Sequence, residues 1–345
     1  MSFRTLTRSV IRALIAVAAL GSASAYAKDI PIRIAVVGSV TQPLNIIFTG
    51  KYFQDSVLKD YGKAYTVKLN RVTSTPLAAQ LFVTGQVDIA MLAGPAISNA
   101  ILSGVIDKEQ VAIVAAGITD GYPGYVSSFW AAMKSSGITG VEQLRGKTIA
   151  VLGFGTASDT ALRVVLRRHG LDPEKDVRIV ELPLQNMPDA LRQGRVDAAQ
   201  FTEPFSAHFR AAGDGVELFS HADAFGGPSY NTVALIRKDT AARLGGALRA
   251  YLADFSRGLY WLSDPKNRDQ AIAVASDTTG LTTQALAVYY LTKLDKYTDP
   301  ELCIDRDWLQ TPLAKAVEAG VIPQVVDLRP LVTSAYLPGL QSTCK

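Results

Sequence analysis

GQVDIAMLAGP (residues 85–95) and GRVDAAQFTEP (194–204) share Gly at the first position, Val-Asp at the third and fourth, Ala at the sixth and Pro at the eleventh. In each copy the Gly suits the left-handed residue that ends a helix. Val-Asp then enters a short apolar run that reads as a buried strand, and Pro stands where a following helix can begin. One helix–strand–helix corner is thus written twice, which predicts two similar α/β lobes.

The flanking sequence follows the same plan. Before the first copy come IPIRIAVVG (30–38) as a strand, a helix from Pro43 to about Tyr61, YTVKLNRVT (65–73) as a strand and TPLAAQLFVTG (75–85) as a helix. After it come a helix from Pro95 and the strand VAIVAAGI (111–118). Before the second copy come KTIAVLGF (147–154), a helix over 156–170, VRIVELP (177–183) and a helix over 187–194; a helix from Pro204 and the strand ELFS (217–220) follow. Strands alternating with helices predict mostly parallel sheets covered on both faces.

A second echo marks where the chain passes between lobes. SSFWAAMKSSGI (127–138) and YNTVALIRKDTA (230–241) each read as a strand ending in a basic residue and polar turn, after the Gly-rich turns GYPGY and FGGPSY. The expected fold class is α/β, with two Rossmann-like lobes joined by a two-segment hinge. Lobe one comprises 28–120 and 228–345, including helices from about 242 onward that end with one over LTTQALAVYYLTKL (281–294). Lobe two comprises 121–227.

Residues 1–27 stand apart from this pattern. Arg4, Arg8 and Arg12 precede the short apolar run ALIAVAAL, and Ala25-Tyr26-Ala27 follows, the order of a cleavable export signal. Cleavage after Ala27 and a periplasmic location are expected. Removing three Arg and no acid takes the formal charge of +4 to about +1. A nearly neutral protein gives no reason to expect nucleic acid as a partner. Export also permits Cys303 and Cys344 to pair. His169, His208 and His221 lack metal-site spacing, and neither a metal nor a cofactor is expected.

In open parallel sheets, ligands bind outside the carboxyl ends of the strands, where helix N-termini offer unpaired N–H groups. That rule selects Thr41 and Gln42, Ala93 and Gly94, then Thr156, Ala157 and Ser158, and Glu203, with Asn231 beside the second crossing. The turn Gly155-Thr156-Ala157-Ser158 suits an anion, or equally a helix that caps itself. Tyr122, Tyr125, Phe129 and Tyr230 are candidate cleft walls, whereas Asp88 and Asp197 lie at strand entrances and read as structural.

IRIAVVGSVTQPL, GQVDIAMLAGP, GVEQLRGKTIAVLGFGTASDTAL and GRVDAAQFTEP together resemble the periplasmic substrate-binding proteins of the aliphatic sulfonate, taurine and nitrate type. The resemblance implies the type II binding-protein fold and no catalysis, and the sequence itself gives no reason to expect anything but a monomer. It further implies a small organic anion as ligand and an inner-membrane ABC permease as partner. It places the ligand loops at Thr41-Gln42, Ala93-Gly94, Thr156-Ala157-Ser158, Glu203 and around Asn231. None of these loops holds an Arg to grip a sulfonate, so aromatic carboxylates and thiamine-precursor pyrimidines remain open alternatives. Two rivals come from other classes. One is an exported sensor module. The other is a nucleotide-dependent enzyme, since Gly153-x-Gly155-x-x-Ser158 after a strand, with Glu181 downstream, approaches a dinucleotide fingerprint. Ser158 in place of a third Gly, and the lack of the Cys-rich segment of related pyrimidine-forming enzymes, argue against catalysis.

Overall fold

The computed structural model describes residues 29–337, 339 and 344. The expected export signal, 1–27, lies outside the described residues. The chain begins with β1 (Ile30–Val37), α1 (Pro43–Thr49), α2 (Lys51–Ser56), β2 (Tyr65–Val72), α3 (Thr75–Val83), β3 (Ile89–Leu92), α4 (Gly94–Leu102) and β4 (Val111–Ala116). It continues through β5 (Ile118–Asp120), β6 (Phe129–Met133), β7 (Thr148–Val151), α5 (Ala157–Arg168), β8 (Arg178–Glu181), α6 (Met187–Arg192), β9 (Ala198–Phe201), α7 (Phe205–Ala212) and β10 (Gly215–Ser220). Then follow α8 (His221–Phe225), β11 (Ser229–Tyr230), β12 (Val233–Arg237), α9 (Lys238–Leu244), α10 (Gly246–Ser263), α11 (Arg268–Thr279), α12 (Thr283–Ala287), β13 (Tyr297–Thr298) and α13 (Arg306–Glu318).

Two five-stranded sheets carry the α/β lobes, in the orders β2-β1-β3-β12-β4 and β8-β7-β9-β6-β10. The orders superpose strand for strand. β1 pairs in parallel with β2 and β3, as β7 does with β8 and β9. The antiparallel member is β12 in the first sheet and β6 in the second. These are the two strands of the second sequence echo.

The repeated Val-Asp corner does the same work in both lobes. Asp88 donates its N–H to the Arg33 carbonyl at 2.8 Å, and its carboxylate accepts the Arg33 N–H at 2.9 Å. Asp197 makes the same two bonds to Thr148, at 2.8 Å each. Each Asp thus pins the central strand of its sheet to the neighbouring strand at the edge opposite the ligand end. After it, Ile89–Leu92 and Ala198–Phe201 are wholly buried, as strands covered on both faces must be.

Two expected helices are interrupted. The helix predicted over 43–61 breaks at Gly50, where the backbone is extended and a Cβ would stand 2.6 Å from the Ile46 carbonyl oxygen. The helix expected over 281–294 stops after Ala287. Arg268 donates to the carbonyls of Ala287 and Tyr290, and the Asp295 carboxylate takes the Leu291 N–H, so the segment turns instead of continuing. Leu291 adopts a left-handed φ of 57° there, a conformation few L-residues other than Asn and Asp favour.

That turn leads to β13, which the sequence pattern does not reveal. β13 pairs with β5, and β5 with β11, so a third strand joins the two crossing segments. Farther on, Cys303 and Cys344 form a disulfide.

Candidate functional site

A cavity of about 280 Å³ lies at the carboxyl ends of both sheets. Its walls come from the β1–α1 loop, the β7–α5 loop, the end of β9, both crossing segments and the stretch from Leu259 to Pro300. Such a cavity is at the small end of ligand pockets, which run about 300–1,000 Å³.

On the second-lobe side, α5 points its first turn at the cavity through Thr156, Ala157 and Ser158. The Thr156 hydroxyl donates to the Gly153 carbonyl and accepts the Asp159 N–H, so it caps its own helix. The Ser158 hydroxyl accepts from Gln200 Nε2 at 2.7 Å, which leaves its proton to donate. A helix start leaves its first N–H groups without carbonyl partners inside the helix. Glu181, the residue that would suit a ribose, accepts the Phe154 N–H at 2.5 Å and holds the glycine loop.

On the first-lobe side, Thr41 and Gln42 line the cavity and brace their own loop. Thr41 Oγ1 lies 2.9 Å from Ser39 Oγ, and Gln42 Nε2 donates to the Val37 carbonyl at 2.8 Å. Gly38 is required at this turn: its φ is 112°, and a Cβ would meet Gln42 Nε2 at 2.2 Å.

Charged groups form the remaining wall. Glu203 is 3% exposed and accepts from the hydroxyls of Thr202 and Ser206, both at 2.9 Å. Asp295 accepts the N–H groups of Leu291 at 3.1 Å and Lys296 at 2.9 Å. Removal from water, then the charge of Glu203, push the Asp295 carboxyl up to about 7. The Lys296 ammonium donates to Asp120 at 2.8 Å and to Ser128. Burial works against the Lys296 charge, but Asp120 and then Glu203 outweigh it and hold the ammonium protonated. Asp120 is fully buried, a condition that disfavours its charge; Lys296, then His221, overcome this and keep it ionised well below the usual carboxylate range. Asp120 ends β5, His221 starts α8 and Lys296 precedes β13, so this network joins the crossing segments to the cavity wall.

Of the residues selected from sequence, Thr41, Gln42, Thr156, Ala157, Ser158, Glu203 and Asn231 line the cavity. Ala93 and Gly94 do not. α13 packs over the start of α4, and a Cβ on Gly94 would stand 3.0 Å from Leu313 and 3.3 Å from the Leu309 carbonyl. Among the aromatic candidates, Tyr125 lines the cavity, while Tyr122 stacks on Tyr297 at 3.8 Å. Phe129 stacks on Phe201 in the second lobe's core, and Tyr230 is buried, accepting the Asp305 N–H. Sequence reasoning missed Gln200, Arg268, Asp295, Lys296 and Tyr297, all on the cavity wall. Gln200 alone had a signal: it replaces the apolar Met91 of the first copy of the repeat.

Residues 35–276 match the model of the NMT1-like family. This chain belongs to that family. The NMT1-like chain is also similar to YtlA of Bacillus subtilis (strain 168), whose name describes a binding protein, with 24% identity over 206 residues. That match covers 55% of this chain and 58% of YtlA, so the chain spans little more than half of the curated relative's length. Among solved structures, the periplasmic aliphatic sulphonate binding protein SsuA of Escherichia coli aligns with a TM-score of 0.64 and 19% identity, over 88% of this chain and 92% of SsuA. The periplasmic nitrate-binding protein NrtA of Synechocystis PCC 6803 aligns with a TM-score of 0.64 and 15% identity, over 90% of this chain and 87% of NrtA. The NMT1-like chain therefore has the two-lobed periplasmic binding protein fold that its sequence resemblance implied.

Proposed function

We propose that this protein is the extracytoplasmic solute-binding component of an ABC importer. On this reading residues 28–120 with 228–345 and residues 121–227 act as two lobes that close on a small organic solute and present it to a membrane permease. The observation that carries the reading is the cavity itself, which both lobes and both crossing segments wall at the carboxyl ends of two sheets. The names of YtlA, SsuA and NrtA support it, since each is a binding protein. An acidic group of the solute fits the first turn of α5, where Ala157 and Ser158 offer amides and a hydroxyl. The binding role needs no catalysis, and on this reading the expected export signal at 1–27 directs the chain to the periplasm, where it acts as a monomer. Glu181 already serves its own loop, which weakens the nucleotide-dependent alternative.

A thermal-shift screen of the protein from residue 28 onward tests the proposal, using sulfonates, nitrate, aromatic acids and pyrimidines. A solute at a hundred times its Kd adds about 2.7 kcal/mol to stability. Ser158→Ala should weaken binding of the acidic solutes that register, whereas Thr156→Ala should lower the stability of the free protein. A screen in which no small molecule shifts the transition would overturn the proposal.

A further inference from the structure

The cavity is covered where the two lobes meet. The glycine loop of the second lobe lies against the start of α3: a Cβ on Gly155 would stand 3.3 Å from the Pro76 ring, and one on Gly153 3.6 Å from the Ser74 Cβ. Beneath that contact Thr75 and Thr156 line the cavity at 4% and 6% exposure. Every residue that the second lobe and the β1–α1 loop give to the wall is buried or half-buried. Among the described residues, the exposed ones on the wall are Ser263, Asp264 and Pro265, at the corner between α10 and α11. The cavity therefore reaches water through the first lobe, along a side channel bounded by Leu259 and Leu262 of α10 and by Leu291 and Pro300 of the segment that follows α12. Two ties hold its frame: Ser256 of α10 donates to the Pro300 carbonyl at 2.6 Å, and Arg268 of α11 donates to the Ala287 carbonyl at 2.8 Å.

The two ends of the cavity differ in chemistry. The cleft end carries Ser158, Gln200, Glu203 and Asn231. In the side channel the polar side chains serve the local backbone. Ser263 donates to the Tyr260 carbonyl at 2.9 Å, Thr292 donates to the Tyr289 carbonyl at 2.6 Å, and Asp264 accepts the Lys266 N–H at 3.0 Å. What remains for a solute is leucine and proline surface, which favours methylene groups over polar ones.

We propose that this side channel is a second subsite, which takes an unbranched apolar chain of the solute and lets its end reach water at the α10–α11 corner while the lobes stay shut. The inference rests on the solute-binding reading above and holds whichever polar group occupies the cleft.

Two homologous series test it, linear alkanesulfonates and linear alkanoates of two to ten carbons, each titrated calorimetrically into the wild-type protein. Every methylene buried in the channel should tighten binding about fourfold. Once the chain end emerges at the corner, longer members should hold that affinity. Ser263→Trp and Pro265→Trp change exposed positions, and each variant is confirmed as folded by circular dichroism. They should narrow the opening, so that members long enough to reach the corner lose the gain of two or more methylenes, about tenfold or more, while short members bind as to the wild type. An affinity that collapses beyond some chain length in the wild type, or that ignores chain length, would overturn the inference. Equal losses for short and long members in the variants would do the same. If no member of either series binds while another solute registers in the thermal-shift screen, the side channel falls and solute binding stands; if both are silent, both readings fall.

Discussion

Asp295 makes the stability of the free protein depend on pH in a direction opposite to that of most carboxylates. Its folded value of about 7 stands above the ordinary Asp value of 3.8, because it is removed from water and shares the cavity with Glu203. Between those values the folded chain holds a proton that the unfolded chain has lost. The stabilisation is therefore present at low pH and disappears as pH rises through 7. One unit corresponds to about 1.4 kcal/mol, so from pH 5 to pH 8 this carboxyl should cost the free protein about 3 kcal/mol. His221 contributes with the opposite sign, since burial lowers its value below 6.5 and the folded protein keeps it neutral. Comparison with Asp295→Asn removes that contribution. The amide can accept from only one of Leu291 and Lys296, which costs about 1 kcal/mol, independent of pH. Urea denaturation of ligand-free wild type and variant at pH 5, 6, 7 and 8 yields the difference directly. Relative to the variant, the wild type should lose about 3 kcal/mol between pH 5 and pH 8, steeply up to pH 7 and then levelling off. Parallel stability profiles for the two proteins would refute the placement of two coupled acids on one cavity wall.

Two further outcomes follow from groups that hold the fold. Asp88→Ala should cost about 2–3 kcal/mol in urea denaturation and Asp197→Ala about 1 kcal/mol, because Asp88 is 1% exposed and binds Arg33 and Arg243, while Asp197 is 35% exposed beside Lys147. Lys296→Met should cost about 3–5 kcal/mol by leaving the buried Asp120 carboxylate without its ammonium, and adding Asp120→Asn should recover part of that loss.

The architecture was legible because its signals are local and repeated. Gly85 and Gly194 both take left-handed φ values, and Val-Asp enters a buried strand in both copies. The site was legible only where it lies on those repeated corners. Thr156, Ala157, Ser158 and Glu203 follow from strand ends, but the same rule selected Ala93 and Gly94, which α13 covers from more than 200 residues away in sequence. The divergence within the repeat is more informative than the repeat itself. Met91, Ala93 and Gly94 became Gln200, Thr202 and Glu203 in the second copy, and only the polar set faces the cavity. The wall from Leu291 to Thr298 was hidden, because LTTQALAVYYLTKL has the composition of a helix. Long-range partners, Arg268 on the carbonyls and Asp120 on Lys296, divert it.

The late place of β12 in the chain also has a temporal consequence during synthesis. The strands of the second sheet lie within 129–220, so everything that sheet requires has been made before the ribosome adds α8. The first sheet must wait, with β3 and β4 lacking their shared neighbour, until residue 237 is made. The part of the molecule translated first is thus the part completed last, and its open strand borders are what a nascent chain would have to shield from aggregation in the interval.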